Sequence, residues 1–248
     1  MTRPREQAGP LCDAITAAGG IAVAFPLLEI VDYPEDPAFV LAMGQLDAAT
    51  LAVFISPNAV SFGLHHVRRQ RDWPKGLPVA AVGQGTAKAL REQGFSEVIV
   101  PNEGFDSEAL LNCMALSADR VRGKSVVLFK GLGGRDLLAD ELSDRGARVF
   151  PAPCYRRLPP PQGATVLRSL VEKGQLDAMV VSSSEAVRHL GDLLPGDARG
   201  LLKETVMICS HPRIAEAARQ IGCTNICMTS PGDAGILAGL SAYNWPSE

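Results

Sequence analysis

FISPNAVSFGL (residues 54–64) joins an apolar run to a helix-like pattern through the small polar segment SPN (56–58). An apolar run that stops where a helix begins is typical of a strand–loop–helix unit in an α/β protein. Nearly the same arrangement recurs as VVSSSEAVRHL (180–190). The two stretches predict a repeated α/β unit, and the loops that follow its strands are where a ligand is expected.

Short apolar runs alternate with helix-period segments along most of the chain. The strand candidates lie at 21–25, 51–55, 78–82, 97–100, 125–129, 147–150, 177–181, 205–209 and 224–228. The helix candidates between them include 6–20, 86–94, 106–118 and 136–146. Several of the apolar runs are rich in Val and Ile, which suits strands buried on both faces. The alternation therefore predicts parallel sheets with helices on both sides.

Two proline-bearing stretches divide the strand candidates, which are many for one sheet. The two stretches are PLLEIVDYPEDP (26–37) and PAPCYRRLPPPQG (151–163). Each begins with a Pro that directly follows a short strand candidate ending in Phe. We therefore predict an inserted α/β domain at 37–150, a discontinuous α/β domain at 1–30 plus 158–248, and crossing linkers at 26–36 and 151–160.

Internal repeats support this division. The matching pairs are SPNAV (56–60) with SSEAV (183–187), AVGQGTAKALREQG (81–94) with ICSHPRIAEAARQIG (208–222), and, more loosely, RPREQAGPLCDAITAAGG (3–20) with KGLGGRDLLADELSDRGA (130–147). Strand–loop–helix units thus occur twice in the same order. A duplicated α/β domain is the simplest explanation.

Composition argues against several classes of protein. The 248 residues carry a formal net charge of −3, and the basic residues are dispersed, which argues against nucleic acid as the main partner. No apolar run reaches the roughly 18 residues of a membrane span, and the first ten residues lack the apolar stretch of a signal peptide. We therefore expect a cytoplasmic protein with no membrane partner.

The sequence predicts no metal or cofactor. Only Cys223 and Cys227 among the six cysteines are close in sequence, and this single pair lacks the second pair of a structural zinc site. VGQGT (82–86) and KGLGG (130–134) have neither the Walker spacing nor the GxGxxG spacing of nucleotide loops. We expect reduced cysteines in apolar surroundings.

Small polar residues follow three of the strand candidates. They are Ser56 and Asn58, Gly83 and Thr86, and Ser183 and Ser184. These residues either cap the helix that follows or bind an anion together with backbone N–H groups, and both interpretations stay open. One helix end contributes only about 0.3–1 kcal/mol to holding an anion, so several ends together suit a large substrate with many carboxylates.

Basic residues occur in the same class of loops. The candidates are Arg3, Arg5, Lys130, Arg135, Arg156, Arg157 and Arg213. A single surface arginine is usually solvated, but recurrence at corresponding loop positions favours an anion-binding role. No nucleophile–base arrangement is visible, and His211, in a candidate loop, suits a helix cap or packing better than catalysis.

Several segments occur in an order and spacing that match one family. They are TRPREQAGPLCDAITAAGG followed by FPLLEI, FISPNAV, AVGQGTAKALREQGF, GFDSEALL, GGRDLLADELSDRGARVFPAPCYRR, VVSSSEAV and HPRIAEAARQIG. Each segment is degenerate by itself, and their order makes the match specific. Over essentially its full length the chain resembles the uroporphyrinogen-III synthase family.

The resemblance implies two similar parallel-sheet, flavodoxin-like domains joined by a two-stranded connector, with the active site between them. It also implies a cofactor-free enzyme of tetrapyrrole and heme biosynthesis. The family's substrate is hydroxymethylbilane, a linear tetrapyrrole with eight carboxylates. Its product, uroporphyrinogen III, forms with loss of water and with inversion of ring D through a spiro intermediate.

The resemblance also implies roles for particular residues. Tyr155, in CYRR, matches the family's favoured proton donor to the departing hydroxyl, although packing at the hinge is the alternative. Thr86 and Ser56 match the family's cleft threonine and serine. The expected substrate-binding set is Arg3, Ser56, Asn58, Gly83, Thr86, Lys130, Arg135, Ser183, Ser184 and Arg213. We expect a monomer, with a transient contact to the preceding pathway enzyme left open.

Two departures from the family pattern stand out. The family usually has a full apolar strand before TRP, where this sequence has only Met1 and Thr2, so either the loss of that central strand is costly or the true start lies upstream. The family's usual Gly-x-x-Thr is replaced by HPRI (211–214), where Arg213 is a candidate substitute. The competing hypothesis is a non-catalytic two-domain binder or sensor of an anionic small molecule.

Overall fold

A computed structural model provides the three-dimensional structure of the chain. It describes residues 1–104, 106–133, 136–159, 163–194, 200, 202–203 and 205–245. Arg135, one of the predicted substrate ligands, lies outside these residues. The chain divides into two compact units, one formed by Met1–Glu29 with Leu158–Glu248 and the other by Ile30–Arg157. They are called unit 1 and unit 2 below.

Strands and helices alternate through both units. The strands are β1 (Glu29–Asp32), β2 (Ala49–Phe54), β3 (Val79–Ala81), β4 (Val98–Ile99), β5 (Ser125–Gly131), β6 (Arg148–Leu158), β7 (Ala178–Val181), β8 (Val206–Cys209) and β9 (Ile226–Met228). The helices are α1 (Arg5–Ala17), α2 (Pro37–Gln45), α3 (Pro57–Gln70), α4 (Gln84–Glu92), α5 (Ser107–Leu111), α6 (Ala118–Val121), α7 (Leu137–Asp144), α8 (Thr165–Glu172), α9 (Ser184–Leu193), α10 (Pro212–Gln220) and α11 (Gly232–Ala242), with a 3₁₀ turn at Met114–Leu116. No helix in the described ranges is long and apolar enough to cross a membrane.

Unit 2 is built on a six-stranded sheet in the order β1-β6-β5-β2-β3-β4. The five strands from β6 to β4 are parallel to their neighbours. All seven residues of β5 are buried, as expected for a strand covered on both faces. The continuous apolar run at 125–129 therefore predicted this central strand correctly.

Alternate side chains of the central strands enter two different cores. Phe54 of β2 and Phe129 of β5 lie on one face, with their ring centroids 4.5 Å apart, and pack against α2 and α3. Val53 and Leu128, their neighbours in sequence, enter the other core with α5 and α7. This two-residue period fixes the register, because a slip by one residue would exchange the two faces.

Unit 1 contains the parallel sheet β7-β8-β9, which is extended by the start of the chain. The Thr2 backbone N–H donates to the Val180 carbonyl at 3.2 Å. Phe25 and Leu27 in turn donate to the carbonyls of Met1 and Thr2, at 2.8 and 3.1 Å. Met1 and Thr2 thus occupy the central position that the family resemblance implied for this strand, and Thr2 is only 1% exposed.

The prediction of a strand at 21–25 is wrong. These residues form no regular strand in the structure, and Ile21 is 94% exposed. The segment is mostly exposed and pairs through few backbone groups, so it lacks the burial and the hydrogen-bond ladder of a regular strand. The pairing is limited to the Val23 carbonyl, which accepts from the Met1 amino group at 2.8 Å, and to the N–H groups of Phe25 and Leu27.

The two units have the same strand order, and each is built from strands of both sequence repeats. In unit 1 the order is 25–27, 1–2, β7, β8, β9, and in unit 2 it is β6, β5, β2, β3, β4. Each is the doubly wound order 2-1-3-4-5 if its first two strands come from one repeat and its last three from the other. The sequence repeat is therefore real, and each unit combines segments of both copies.

Each of the two predicted crossing segments contains a strand. β1 lies within 26–36, and β6 continues from 148 through most of 151–160. β1 and β6 are neighbours in the sheet, which gives the two-stranded connector of an α/β fold with two units. The boundaries between the units fall after Glu29 and after Arg157, inside these two segments.

We predict that the close packing of α3 on β5 makes Gly63 intolerant of a methyl group. A Cβ at Gly63 would lie 2.6 Å from Cδ1 of Phe129, a ring already stacked on Phe54, whereas a Cβ at Gly44 of α2 would meet no atom within 4 Å. Gly63→Ala should lower the free energy of unfolding of unit 2 by about 1–3 kcal/mol. The matched variant Gly44→Ala should raise it by about 0.4–1 kcal/mol.

Urea denaturation followed by Trp73 fluorescence tests this prediction, because Trp73 lies 6.1 Å from the Phe54 ring. A Trp245→Phe background leaves Trp73 as the sole tryptophan, since the chain contains two. Equal midpoints for the two alanine variants would contradict the packing argument.

Candidate functional site

The switch point of the sheet in unit 2 lies between β2 and β5. From β2 the chain proceeds to β3 and β4 on one side, whereas β5 and β6 lie on the other. The helix and loop that follow β2 therefore diverge from the loop that follows β5, and ligands of doubly wound proteins bind in such a crevice. Ser56 lies just after β2, and Gly131 ends β5.

Tyr155 of β6 reaches this switch point from the neighbouring strand. The register between β5 and β6 shifts after Lys130, which pairs with Pro153, so that Gly131 pairs with Tyr155 and Cys154 is bypassed. Such an irregularity redirects the side chains that follow it. The Tyr155 side chain is 0% exposed and stacks on Phe62, with ring centroids 5.9 Å apart.

Gly131 makes room for the tyrosine ring. A Cβ at Gly131 would lie 2.7 Å from both Cε2 and Cζ of Tyr155 and 3.1 Å from its Oη. These distances are shorter than carbon contacts in packed proteins, so a side chain at residue 131 would displace the phenol. The position of the Tyr155 hydroxyl thus depends on the glycine opposite it.

Two polar side chains contact the Tyr155 hydroxyl. Its Oη lies 3.0 Å from Oγ of Ser56 and accepts a hydrogen bond from Nη2 of Arg157 at 3.2 Å. The Arg157 guanidinium carbon also lies 5.5 Å from the centre of the tyrosine ring. Ser56 Oγ accepts the Ala59 N–H at 3.1 Å as the N-cap of α3. Both interpretations of Ser56, as cap and as site residue, are therefore compatible.

The start of α4 lies beside the start of α3. A Cβ at Gly85 would be 4.0 Å from Cγ of Pro57. Gly83 is the N-cap of α4 and has no side chain to satisfy the first N–H groups, which suits an external anion. Thr86, in the first turn, is only 4% exposed. Asn58, in the first turn of α3, is half-buried.

Lys130 has a local partner. Its side chain is buried, and its ammonium group forms an ion pair with Asp136 in the loop before α7. The adjacent Cys154 thiol donates to the carbonyls of Lys130 and Ala59, at 3.5 and 3.7 Å. Burial raises the pKa of Cys154 to about 12, so its thiol is protonated at neutral pH and is a poor nucleophile.

Unit 1 brings Ser183, Ser184 and Arg213 together. Ser183 is the N-cap of α9 and accepts the Ala186 N–H at 3.0 Å, as Ser56 does for α3. The Ser184 hydroxyl donates to the Arg213 carbonyl at 3.1 Å, which joins the starts of α9 and α10. His211 caps α10 through Nδ1, which accepts the Arg213 N–H at 3.1 Å. The Arg213 side chain is exposed.

Arg3 lies at a separate point of unit 1. Its Nη1 pairs with Oδ1 of Asp233 at 2.5 Å, in the first turn of α11. The Arg3 side chain is 17% exposed and the Asp233 side chain 43% exposed, so the pair is partly solvated. The ion pair supplies a structural role for Arg3 that the sequence did not predict.

Sequence analysis missed Gly131 and named Arg157 only as one basic residue among several. Arg157 stands two residues after Tyr155 on the same strand, and this spacing puts both side chains on one face, so the signal was present. The role of Gly131 could not be predicted from the sequence, because its close approach to Tyr155 depends on the register shift between β5 and β6. Among the described residues, no group of three or more His, Cys, Asp or Glu is arranged to hold a metal ion.

Comparisons with known proteins agree with the resemblance seen in the sequence. The family profile described as "Uroporphyrinogen-III synthase HemD" matches residues 10–237. The uroporphyrinogen-III synthase of Salmonella typhimurium is 32% identical over 239 residues, which are 94% of this chain and 95% of that protein. The Escherichia coli enzyme is 28% identical over 236 residues, with the same two coverages of 94% and 95%.

Solved structures share the fold. A crystal structure of a mutant uroporphyrinogen III synthase from Thermus thermophilus covers 95% of this chain and 93% of its own, with a TM-score of 0.64 and 20% identity. A uroporphyrinogen-III synthetase from Helicobacter pylori has a TM-score of 0.60 and 17% identity, and the match covers 88% of this chain and 91% of that one. With a family match over most of its residues and these relatives along nearly its full length, the chain belongs to the uroporphyrinogen-III synthase family.

Proposed function

We propose that the chain cyclises hydroxymethylbilane to uroporphyrinogen III, and that Ser56, Tyr155 and Arg157 form its acid site. The observation that carries the site assignment is the 3.0 Å contact between the Ser56 and Tyr155 hydroxyls. These hydroxyls lie at the switch point of a doubly wound sheet, where such folds bind ligands. Membership in the family supplies the reaction, and the hydroxyl cluster supplies the proton that the first step needs.

The reaction asks the protein for position more than for strong acids or bases. Loss of the ring-A hydroxyl as water leaves an azafulvenium cation. Attack by the substituted carbon of ring D gives a spiro intermediate, and fragmentation followed by reclosure inverts that ring. Closure without the enzyme omits the inversion. A tenfold change in the ratio of the two products needs only about 1.4 kcal/mol of selective transition-state stabilisation, which positioning can supply.

The starts of several helices are suited to the substrate's carboxylates. In unit 2 the start of α4 offers backbone N–H groups without a side-chain cap, next to Thr86. In unit 1, Ser183, Ser184 and the exposed Arg213 lie at the starts of α9 and α10. Each helix end contributes about 0.3–1 kcal/mol, so affinity for a polyanion requires several of them. Lys130 contributes less directly, because Asp136 already neutralises its charge.

The remaining expectations concern where and with whom the protein acts. We expect a cytoplasmic monomer, and a transient contact with the preceding enzyme of the pathway stays open. Size-exclusion chromatography with light scattering tests the monomer. A mass near twice the 26.3 kDa of one chain would contradict it.

Purified protein should convert freshly prepared hydroxymethylbilane to isomer III in preference to isomer I. The products are oxidised to uroporphyrins and separated by chromatography, with a protein-free sample as the reference for spontaneous closure. An isomer ratio equal to that of the protein-free sample would leave only the non-catalytic binder.

Tyr155→Phe should reduce turnover by about tenfold or more while the fold survives, because one hydroxyl of the acid site is lost and the ring remains. The matched control is Tyr243→Phe, which removes a phenol that donates to Asn225 Oδ1 at 3.1 Å in unit 1. Initial rates of isomer III formation and thermal melting curves measure both effects. Equal rates for the two variants would remove Tyr155 from the acid site.

Arg3→Ala should raise the KM for hydroxymethylbilane several-fold with little change in kcat, if Arg3 holds a substrate carboxylate. The control is Asp233→Asn, which breaks the same ion pair but keeps the arginine. Asp233→Asn should leave KM unchanged or lower it, because the guanidinium is released from its partner. If both variants change only the melting temperature, and by the same amount, Arg3 is structural.

A further inference from the structure

We infer that the hydroxyl of Ser56, rather than that of Tyr155, donates the proton to the departing hydroxyl of the substrate. Tyr155 replaces the proton on Ser56, and Arg157 stabilises the phenolate that results. The inference rests on the proposed function and assigns one atom at its site. Tyr155 and Arg157 are then positioning residues that act through Ser56.

The hydroxyls of Ser56 and Tyr155 differ in their exposure. The Tyr155 side chain is 0% exposed, held between Phe62 and Gly131, so its Oη does not reach a molecule outside the protein. Ser56 is half-buried at the start of α3 and lies 3.0 Å from that Oη. A group must lie within about 2.6–3.2 Å of the atom it protonates. Ser56 is therefore the member of the pair that substrate can approach.

The other hydrogen bonds of Ser56 and Tyr155 determine which of their two hydroxyls donates to the other. Arg157 has only donors, so Tyr155 Oη accepts its N–H. If Ser56 also donated to Oη, the buried phenol hydrogen would lack an acceptor among the described residues, and an unsatisfied buried donor is unfavourable. Tyr155 therefore donates to Ser56 Oγ, which accepts the Ala59 N–H as well.

This arrangement leaves the serine's own hydrogen available. Oγ of Ser56 uses its two acceptor positions for Tyr155 and Ala59, and its O–H is directed away from both. A substrate hydroxyl in the crevice is the natural acceptor. Capping by Ser56 thus supports the proposed transfer, because the Ala59 N–H fixes the serine oxygen in place.

The proton transfers balance. The Ser56 O–H proton passes to the hydroxymethyl oxygen as its C–O bond breaks, and water departs. The Tyr155 O–H proton passes to Ser56 Oγ in the same step, which leaves a phenolate 3.2 Å from the Arg157 guanidinium nitrogen. Preformed charge at the atom where an anion develops is the most effective form of such stabilisation. The proton released when the macrocycle closes restores the phenol.

A double-mutant cycle on Ser56 and Tyr155 tests the relay. We expect Ser56→Ala and Tyr155→Phe each to lower kcat by a similar factor, about tenfold or more, with KM nearly constant. The double variant should be no slower than the slower single variant, because a chain of two donors is broken equally at either link. Losses that multiply in the double variant would overturn the relay, as would a Ser56→Ala variant that changes KM alone.

Two controls separate the relay from the loss of the helix cap. Ser56→Thr keeps both the hydroxyl and the cap and should restore most of the turnover. Asp36→Ala removes the equivalent cap of α2, where Oδ1 accepts the Ala38 N–H at 2.8 Å, and should leave kcat unchanged. A low kcat for Ser56→Thr at an unaltered melting temperature would overturn the relay.

Variants of Arg157 provide an independent test of the relay. Arg157→Gln should lower kcat in the wild-type protein and have no effect on kcat in the Tyr155→Phe background, whereas Arg157→Lys should recover part of the loss. An equal loss in both backgrounds would mean that Arg157 does not act through the phenol. If wild-type protein forms no isomer III, the proposed function fails together with the relay. If it does and the cycle is multiplicative, only the relay fails.

Discussion

The contact between the buried Tyr155 phenol and Ser56 depends on the way β6 pairs with β5. Without the register shift after Lys130, Cys154 and not Tyr155 would stand opposite Gly131. Without a glycine at that point, the ring would have no room, since a Cβ would approach it to 2.7 Å. A backbone irregularity and a missing side chain together aim one hydroxyl at the carboxyl end of β2. The acid site that we propose for unit 2 depends on this geometry.

The exchange of segments between the repeats explains why that hydroxyl is available. β5 and β6 come from the second repeat, whereas β2 and α3 come from the first. Ser56 and Tyr155, 99 residues apart in sequence, meet only because unit 2 combines both copies. A duplicated domain that folded each copy separately would pair Ser56 with residues near 25–30, which are Phe, Pro, Leu, Leu, Glu and Ile and include neither a phenol nor an arginine.

The sequence predicted the parts of the fold that depend on local pattern. The apolar runs of β2, β5, β7 and β8 are continuous because these strands are buried on both faces, and they were identified correctly. The prediction of a strand at 21–25 was wrong because these residues are mostly exposed and pair through only a few backbone groups. The role of Gly131 was not predictable, since it arises from a contact between strands. The ion pairs of Arg3 with Asp233 and of Lys130 with Asp136 were likewise not predictable from the sequence.

The two repeats keep the same helix cap but differ in what surrounds it. Ser56 and Ser183 accept the N–H of Ala59 and Ala186 at 3.1 and 3.0 Å, so the backbone at the two sites is nearly equivalent. In unit 2 the cap lies beside a phenol and a guanidinium, whereas in unit 1 the next serine donates to the carbonyl of Arg213. A cap oxygen with a proton source behind it can act as an acid, and one without it can only hold an anion. Under the proposed function, the two copies supply two loops that hold substrate carboxylates, and the residues added by β6 make the loop of unit 2 the acid site.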